Sequence, residues 1–173
     1  MSTPNPAAPR PSVTVRTGRE SDVDAVVGMV RELAEYERAA DQVHLTPEQL
    51  HRALFAGAGP DGSPAAYLLV AEEGGAPVGF ALWFLSFSTW EGVHGIHLED
   101  LYVKPDHRGG GAGRALLTEL ARIARDRGYA RVEWSVLSWN TPATGFYDRL
   151  GATPMDGWTT YRLTGSALAL LAR

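Results

Sequence analysis

Apolar and polar residues alternate one by one through Val13-Thr14-Val15-Arg16, which predicts a short strand. The period then lengthens. Val23, Val26, Val27, Val30, Leu33 and Ala34 recur at helical spacing, and Ser21 with Asp24 resembles a capping box in front of them. A second helix start follows at Thr46-Pro47-Glu48-Gln49, where Thr46 caps, proline suits the first turn and Gln49 completes the box. Leu50, Ala53 and Leu54 form its apolar side.

Past a Gly/Pro turn at 57–65, the runs "AYLLVAEE" (66–73) and "VGFALWFLSF" (78–87) predict two strands joined through "GGAP". "GIHLEDLYV" (95–103) predicts a third. Leu116, Leu117, Leu120, Ile123 and Ala124 share one face of a helix that starts near Ala115 and ends at Gly128. A strand at 130–137, a helix from Pro142 to Leu150 and a last strand at 158–164 complete the pattern. The order β-α-α-β-β-β-α-β-α-β predicts an α/β fold in one domain, 13–173. Its sheet is mixed and mostly antiparallel, with a right-handed crossover from 96 to 137.

Composition narrows the class. The 173 residues suffice for one domain with a core, and the net charge of −4 gives no general attraction to nucleic acid or acidic membrane. There is no cysteine, which removes disulfides and thiolate nucleophiles and fits the cytoplasm. The opening "MSTPNPAAPRPS" lacks an apolar core of a signal peptide, and its prolines predict a disordered tail over 1–12. No apolar run is long enough to span a membrane. His94 and His97 lack a second pair of ligands, so no metal is expected.

Chemistry concentrates where the third long strand turns into a helix, in "KPDHRGGGAGRALL" (104–117). A glycine-rich turn ending at a helix N-terminus leaves backbone N–H groups bare and lets an anion approach closely. Walker A does not fit, since the one lysine, Lys104, precedes the glycines. Nor does G-x-G-x-x-G, whose third position falls on Arg114 or Leu116. Arg108-Gly109-Gly110-Gly111-Ala112-Gly113 does read R-x-x-G-x-G. By itself this run also suits a plain tight turn, and a single RGG copy in an acidic chain is a poor RNA-binding segment.

With "RELAEYERAADQVHLT", "VGFALWF", "LEDLYVKPDHRGGGAGRALL", "WNTPATGFYDRLGA" and Gly157-Trp158, the chain from Val13 to Leu163 resembles the GNAT N-acetyltransferases. Within that superfamily it is most similar to the spermidine/spermine (diamine) and thialysine enzymes. The resemblance implies a GNAT fold and acetyl transfer from acetyl-CoA to a primary amine by direct attack in a ternary complex. It also implies a homodimer. Acetyl-CoA would contact Leu101, Tyr102 and Val103 of a splayed strand, the turn residues Arg108 to Arg114, and Asn140, Pro142 and Tyr147.

The chemistry constrains the other roles. An alkyl ammonium with a reference pKa near 10.4 must lose a proton before it attacks, and the departing thiolate must gain one. Glu99 is the candidate proton acceptor, through water, and the resemblance makes Tyr147 the acid. On a regular strand Glu99 and Asp100 face opposite ways, and a bulge would bring both to one cleft. Tyr36, Glu37, Trp90, Glu99, Asp100, Glu133, Trp134, Ser135 and Trp158 match the acceptor side of the diamine enzymes. Ser88 stands where polyamine enzymes carry an aspartate, which favours a smaller amine such as lysine or thialysine. An aminoglycoside, another drug amine, a peptide N-terminus, or a non-catalytic acetyl-CoA-binding module are the alternatives.

Overall fold

The computed structural model describes residues 12–173, so the tail predicted over 1–12 falls outside the described residues except for Ser12. Two compact units make up the chain, one running to Ser135 and the other from Val136 to Arg173. The first holds β1 (Val13–Thr17), α1 (Val23–Tyr36), α2 (Pro47–Phe55), β2 (Tyr67–Glu73), β3 (Ala76–Ser88), β4 (Val93–Val103), α3 (Ala112–Asp126) and β5 (Val132–Trp134). The second holds α4 (Thr141–Asp148) and α5 (Gly165–Leu171).

The five strands form one sheet in chain order, antiparallel from β1 to β4 and parallel between β4 and β5. Period-two alternation divides the buried strand residues between two faces. On one face Leu68, Val70, Phe80 and Tyr102 meet Val23, Val26, Val27 and Met29 of α1 and Leu50 and Leu54 of α2. The intervening Leu69, Ala71 and Ala81 are buried too, so the other face is covered as well, and α3 packs along β1 to β4. Phe80 is fully buried, and one such side chain contributes roughly 1.5–3 kcal/mol by leaving water.

The predicted box at Thr46 is present: Thr46 Oγ1 accepts from the Gln49 N–H at 3.3 Å and Gln49 Oε1 accepts from the Thr46 N–H at 2.9 Å. The first helix begins differently. A short 3-10 turn at Glu20–Asp22 precedes it, and the Asp22 carboxylate accepts from the Arg19 N–H at 2.7 Å. Asp22 also takes two hydrogen bonds from Arg16, which holds its carboxyl below the usual range. That partner lies on β1, and a capping motif read from neighbouring residues gives no sign of it.

Three boundaries depart from the sequence pattern. The third long helix begins at Ala112 rather than Ala115, because Gly111 adopts φ +93° and turns the chain directly into it. The strand predicted over 130–137 is ordered as strand only at Val132–Trp134, where β4 is beside it. The last predicted strand, 158–164, is irregular and exposed, and α5 follows it. Alternation makes a strand only where a neighbour accepts its backbone hydrogen bonds, and 158–164 pairs with no strand among the described residues.

Candidate active site

The β4 strand carries two breaks in regularity, and both fall among the residues that the sequence singles out. The first is a bulge. Asp100 lies opposite Leu82 of β3, yet Leu98 lies opposite the next residue, Trp83, so Glu99 has no opposite number. The second is an opening: β5 pairs with β4 at Ile96, His97 and Leu98 and no further, while β4 runs on to Val103. Leu101, Tyr102 and Val103 therefore border an edge without a ladder from β5. A splayed edge of this kind presents backbone donors and acceptors to a ligand.

The register assigns the faces. Asp100 stands opposite Leu82, His97 opposite Phe84 and beside Glu133, and these form one row on the face that α1 and α2 cover further along. The His97 ring stacks on Phe84 at 4.8 Å, and His97 Nε2 is 4.0 Å from Glu99 Oε2. Glu133 accepts from Ser86 Oγ at 3.4 Å and pairs with Arg131 at 3.0 Å. Trp134 lies beside Leu98 on the opposite face, and Ser135 ends this unit, exposed.

Electrostatics marks the bulge as unusual. The Asp100 carboxyl is pushed up to about 6, chiefly by burial, then by repulsion from Glu99 and Glu37. Burial also pushes the Glu37 carboxyl up. Among the described residues, no lysine or arginine pairs with Glu37, Glu99 or Asp100. Their mutual repulsion disfavours the charged forms, and a cation placed among them would relieve it.

The glycine turn lies at the far end of β4. A 3-10 turn, Pro105–His107, leads to Arg108, and Gly109 (φ +77°) and Gly111 (φ +93°) take the left-handed conformation that other residues avoid. Gly111 is the N-cap of α3 and has no side chain to satisfy the first-turn N–H groups of Ala112, Gly113 and Arg114. Around the turn, Gly110 is exposed and Ala112 buried. His107 Nδ1 lies 2.7 Å from Glu73 Oε2, which ties the approach to the turn to the end of β2.

Arg108 reaches back from this turn. Its Nε donates to the Val103 carbonyl at 2.9 Å, and its guanidinium lies 5.3 Å from the Tyr36 ring and 5.6 Å from the Tyr102 ring. Tyr102 donates to Glu32 at 2.8 Å, and burial with that carboxylate pushes its phenol up to about 12.

The other expected residues belong to the β3–β4 hairpin tip and to the second unit. Trp90 is 87% exposed at the tip of the β3–β4 hairpin, beside Ser88, whose Oγ accepts from the Glu91 N–H at 3.2 Å. Asn140, Pro142 and Tyr147 belong to the second unit, where the Asn140 side chain caps α4 by accepting from the Ala143 N–H at 3.3 Å. Trp158 is in that unit too and 70% exposed.

Two side chains that the sequence reading did not place here are Glu32 and Phe84. Glu32 sits four residues before Tyr36 on α1, so helical spacing carried a signal for it; Phe84 needed the register. Among the described residues no group of three or more acidic or histidine side chains is gathered to hold a metal, and no helix is long and apolar enough to cross a membrane.

The open edge of β4 thus lies between an acidic bulge at Glu99 and a side-chain-free turn feeding α3. The model of the acetyltransferase (GNAT) family matches residues 21–152, and the chain belongs to that family. It is an N-acetyltransferase. A thialysine N-epsilon-acetyltransferase of Sus scrofa is 38% identical, over 93% of this chain and 98% of its own. An L-ornithine N5-acetyltransferase of Arabidopsis thaliana is 39% identical, over 52% of this chain and 40% of its own. Among solved structures, an integron cassette protein of V. cholerae superposes with a TM-score of 0.75 at 26% identity, covering 94% of this chain and 98% of its own.

Proposed function

We propose that this enzyme moves the acetyl group of acetyl-CoA to a primary amine of a small diamine, polyamine or lysine-like molecule, by direct attack in a ternary complex. The observation that carries the reading is the acidic cluster at the bulge, Glu37, Glu99 and Asp100, next to the open edge of β4. Thialysine and ornithine, named for the two relatives, each carry a terminal side-chain amine, which agrees with a cation seat of this kind.

The steps follow from the residues. The carboxylates draw the ammonium in, and Glu99 accepts its proton through water. Asp100, held near 6, adds negative charge that becomes complete close to neutral pH. The amine lone pair then attacks the thioester carbonyl carbon, the oxyanion is met by backbone N–H along Leu101 to Val103, and collapse breaks the C–S bond. Tyr147 gives the proton that the leaving thiolate takes up. That role rests on the likeness of "NTPATGFY" to the family segment, and a phenol of ordinary pKa near 10 can serve a thiol near 8.5. The glycine turn seats the pyrophosphate on backbone N–H groups. The same reading includes a cytoplasmic homodimer, whose dimeric state sedimentation of the purified protein checks.

The test is release of free thiol from acetyl-CoA against putrescine, spermidine, spermine, lysine, thialysine and an aminoglycoside. Turnover confined to the diamine or lysine-like amines is expected. Turnover of the aminoglycoside alone would move the acceptor class. Acetyl-CoA binding with no amine acetylated would favour a non-catalytic module, and no binding at all would sink the reading.

A further inference from the structure

The residue that opens the glycine turn is committed to the acceptor side of the molecule. Arg108 reaches Val103, Tyr36 and Tyr102 from its own turn. Its Nε holds the carbonyl of Val103, at the end of the open edge. Its guanidinium lies over Tyr36, the last residue of α1, and over Tyr102, which is 4% exposed and bonded to Glu32 one turn earlier in that helix. The next residue after Tyr36 is Glu37, one of the three carboxylates at the cation seat.

The end of α1 is a tightly specified turn. Arg38 closes it in the left-handed region at φ +59°, the one non-glycine residue to do so among those described. A non-glycine residue stays there only when its surroundings impose it. The turn is closed by the Arg38 and Ala39 N–H groups, which donate to the Glu35 and Ala34 carbonyls.

We infer that Arg108 is a positioning residue for the amine acceptor: its flat cation, held between Tyr36 and Tyr102, fixes the end of α1 and the Glu37 carboxylate relative to the open edge of β4. The glycine turn and the acceptor seat are thereby coupled through one side chain. The inference rests on the acetyl-transfer reading above. It differs from it in assigning Arg108 to acceptor binding rather than to the cofactor alone. A guanidinium suits this task because it stacks on rings while its Nε–H keeps a fixed direction, which an ammonium cannot do.

Four variants test it: Tyr36→Leu, Arg108→Gln, Arg108→Lys and the double Tyr36→Leu/Arg108→Gln. Acetyl-CoA Kd, acceptor KM and kcat are measured for each, with a thermal melt to confirm folding. Tyr36→Leu is expected to raise acceptor KM about five- to tenfold while acetyl-CoA Kd moves less than about twofold. Arg108→Gln should raise acceptor KM by a similar factor, and the double variant should be no worse than the worse single one. Arg108→Lys should recover part of the loss.

An active wild-type enzyme in which Arg108→Gln leaves acceptor KM unchanged overturns the inference and spares the acetyl-transfer reading. Multiplied losses in the double variant overturn it as well, because two independent contacts would then be involved. If Arg108→Gln does not fold, Tyr36→Leu and Arg108→Lys decide: an unchanged acceptor KM in both refutes the coupling. A wild-type protein that neither binds acetyl-CoA nor acetylates any amine removes both proposals together.

Discussion

The glycine turn and the acidic bulge sit at the two ends of one stretch of β4, and they are built from different materials. The turn is backbone. Its conformation comes from Gly109 and Gly111, adjacent in sequence to the helix they start. The bulge is side chains gathered from α1 and β4, with β3 and β5 supplying its walls. A backbone device tolerates variation in any side chain that keeps its φ angles. A side-chain device depends on register, so one extra residue at Glu99 decides which groups meet. In such an arrangement the turn can be common to many acyl acceptors while the bulge discriminates among them.

The sharpest way to separate the two regions is to remove the proposed proton transfer while leaving the glycine turn alone. Glu99→Gln is expected to lower kcat by about a hundredfold or more at neutral pH, with acetyl-CoA Kd unchanged. Tyr147→Phe should produce a loss of similar size by blocking protonation of the thiolate. Single-turnover measurements with saturating acetyl-CoA distinguish chemistry from binding. If either variant turns over at the wild-type rate, its residue loses its assigned role. If Glu99→Gln weakens acetyl-CoA as much as it slows turnover, the division between the regions fails.

Asp100 offers a reading of the bulge in stability rather than rate. Its carboxyl titrates near 6 in the folded protein against an ordinary value of 3.8, so the folded state binds the proton more tightly than the unfolded chain. Stability is therefore lost as pH rises from about 4 to about 6, and the deficit persists above that. A shift of this size corresponds to at most about 3 kcal/mol. Asp100→Asn should accordingly be more stable than the wild type at pH 8 and nearly equal to it at pH 4. Paired denaturant melts at the two pH values check this. An equal difference at both would mean that burial of the ionised group is not the source.

The turn is broken by a smaller change. A Cβ at Gly111 would meet no atom within 4 Å, so any penalty there is in the backbone alone. Gly111→Ala should cost about 1–2 kcal/mol of stability, from the left-handed φ, and weaken acetyl-CoA about tenfold as the N–H groups turn away. Acceptor specificity, compared across the amine panel at saturating acetyl-CoA, should not change. A change there, with cofactor affinity intact, would place the turn's importance on the acceptor side.

The same contrast explains what could be read from the sequence. The turn and the cap at Thr46 are each specified within about six consecutive residues and each was legible, whereas the helix after the turn begins at Ala112 rather than Ala115. The bulge was legible as a need, since two adjacent carboxylates cannot otherwise share a cleft, but its place against Leu82 and Trp83 is a long-range pairing. Local pattern misled at 158–164, where Trp158-Thr159-Thr160-Tyr161 alternates well but is not a strand of the sheet. It also missed Arg108 turning back to Tyr36, because 72 positions separate them and nothing in either segment points at the other.

Ser88 measures how far the acceptor region extends. It shares the face of Asp100 and His97, but six residues of extended β3 separate it from Leu82, the partner of Asp100, a span of about 20 Å. It is also 7% exposed and engaged at the hairpin turn with Glu91. A lysine-sized acceptor held at the bulge ends well short of it; only a long polyamine would approach. Ser88→Asp is thus expected to leave kcat/KM for lysine or thialysine within about twofold. For spermine it should raise kcat/KM only a few-fold, the worth of one partly screened ion pair. Equal gains for short and long amines would put Ser88 close to the reacting centre and shrink the distance between the two ends of the hairpin as the acceptor feels it. A gain for neither would confine the acceptor to the bulge, with Glu37, Glu99 and Asp100 as its whole charge recognition.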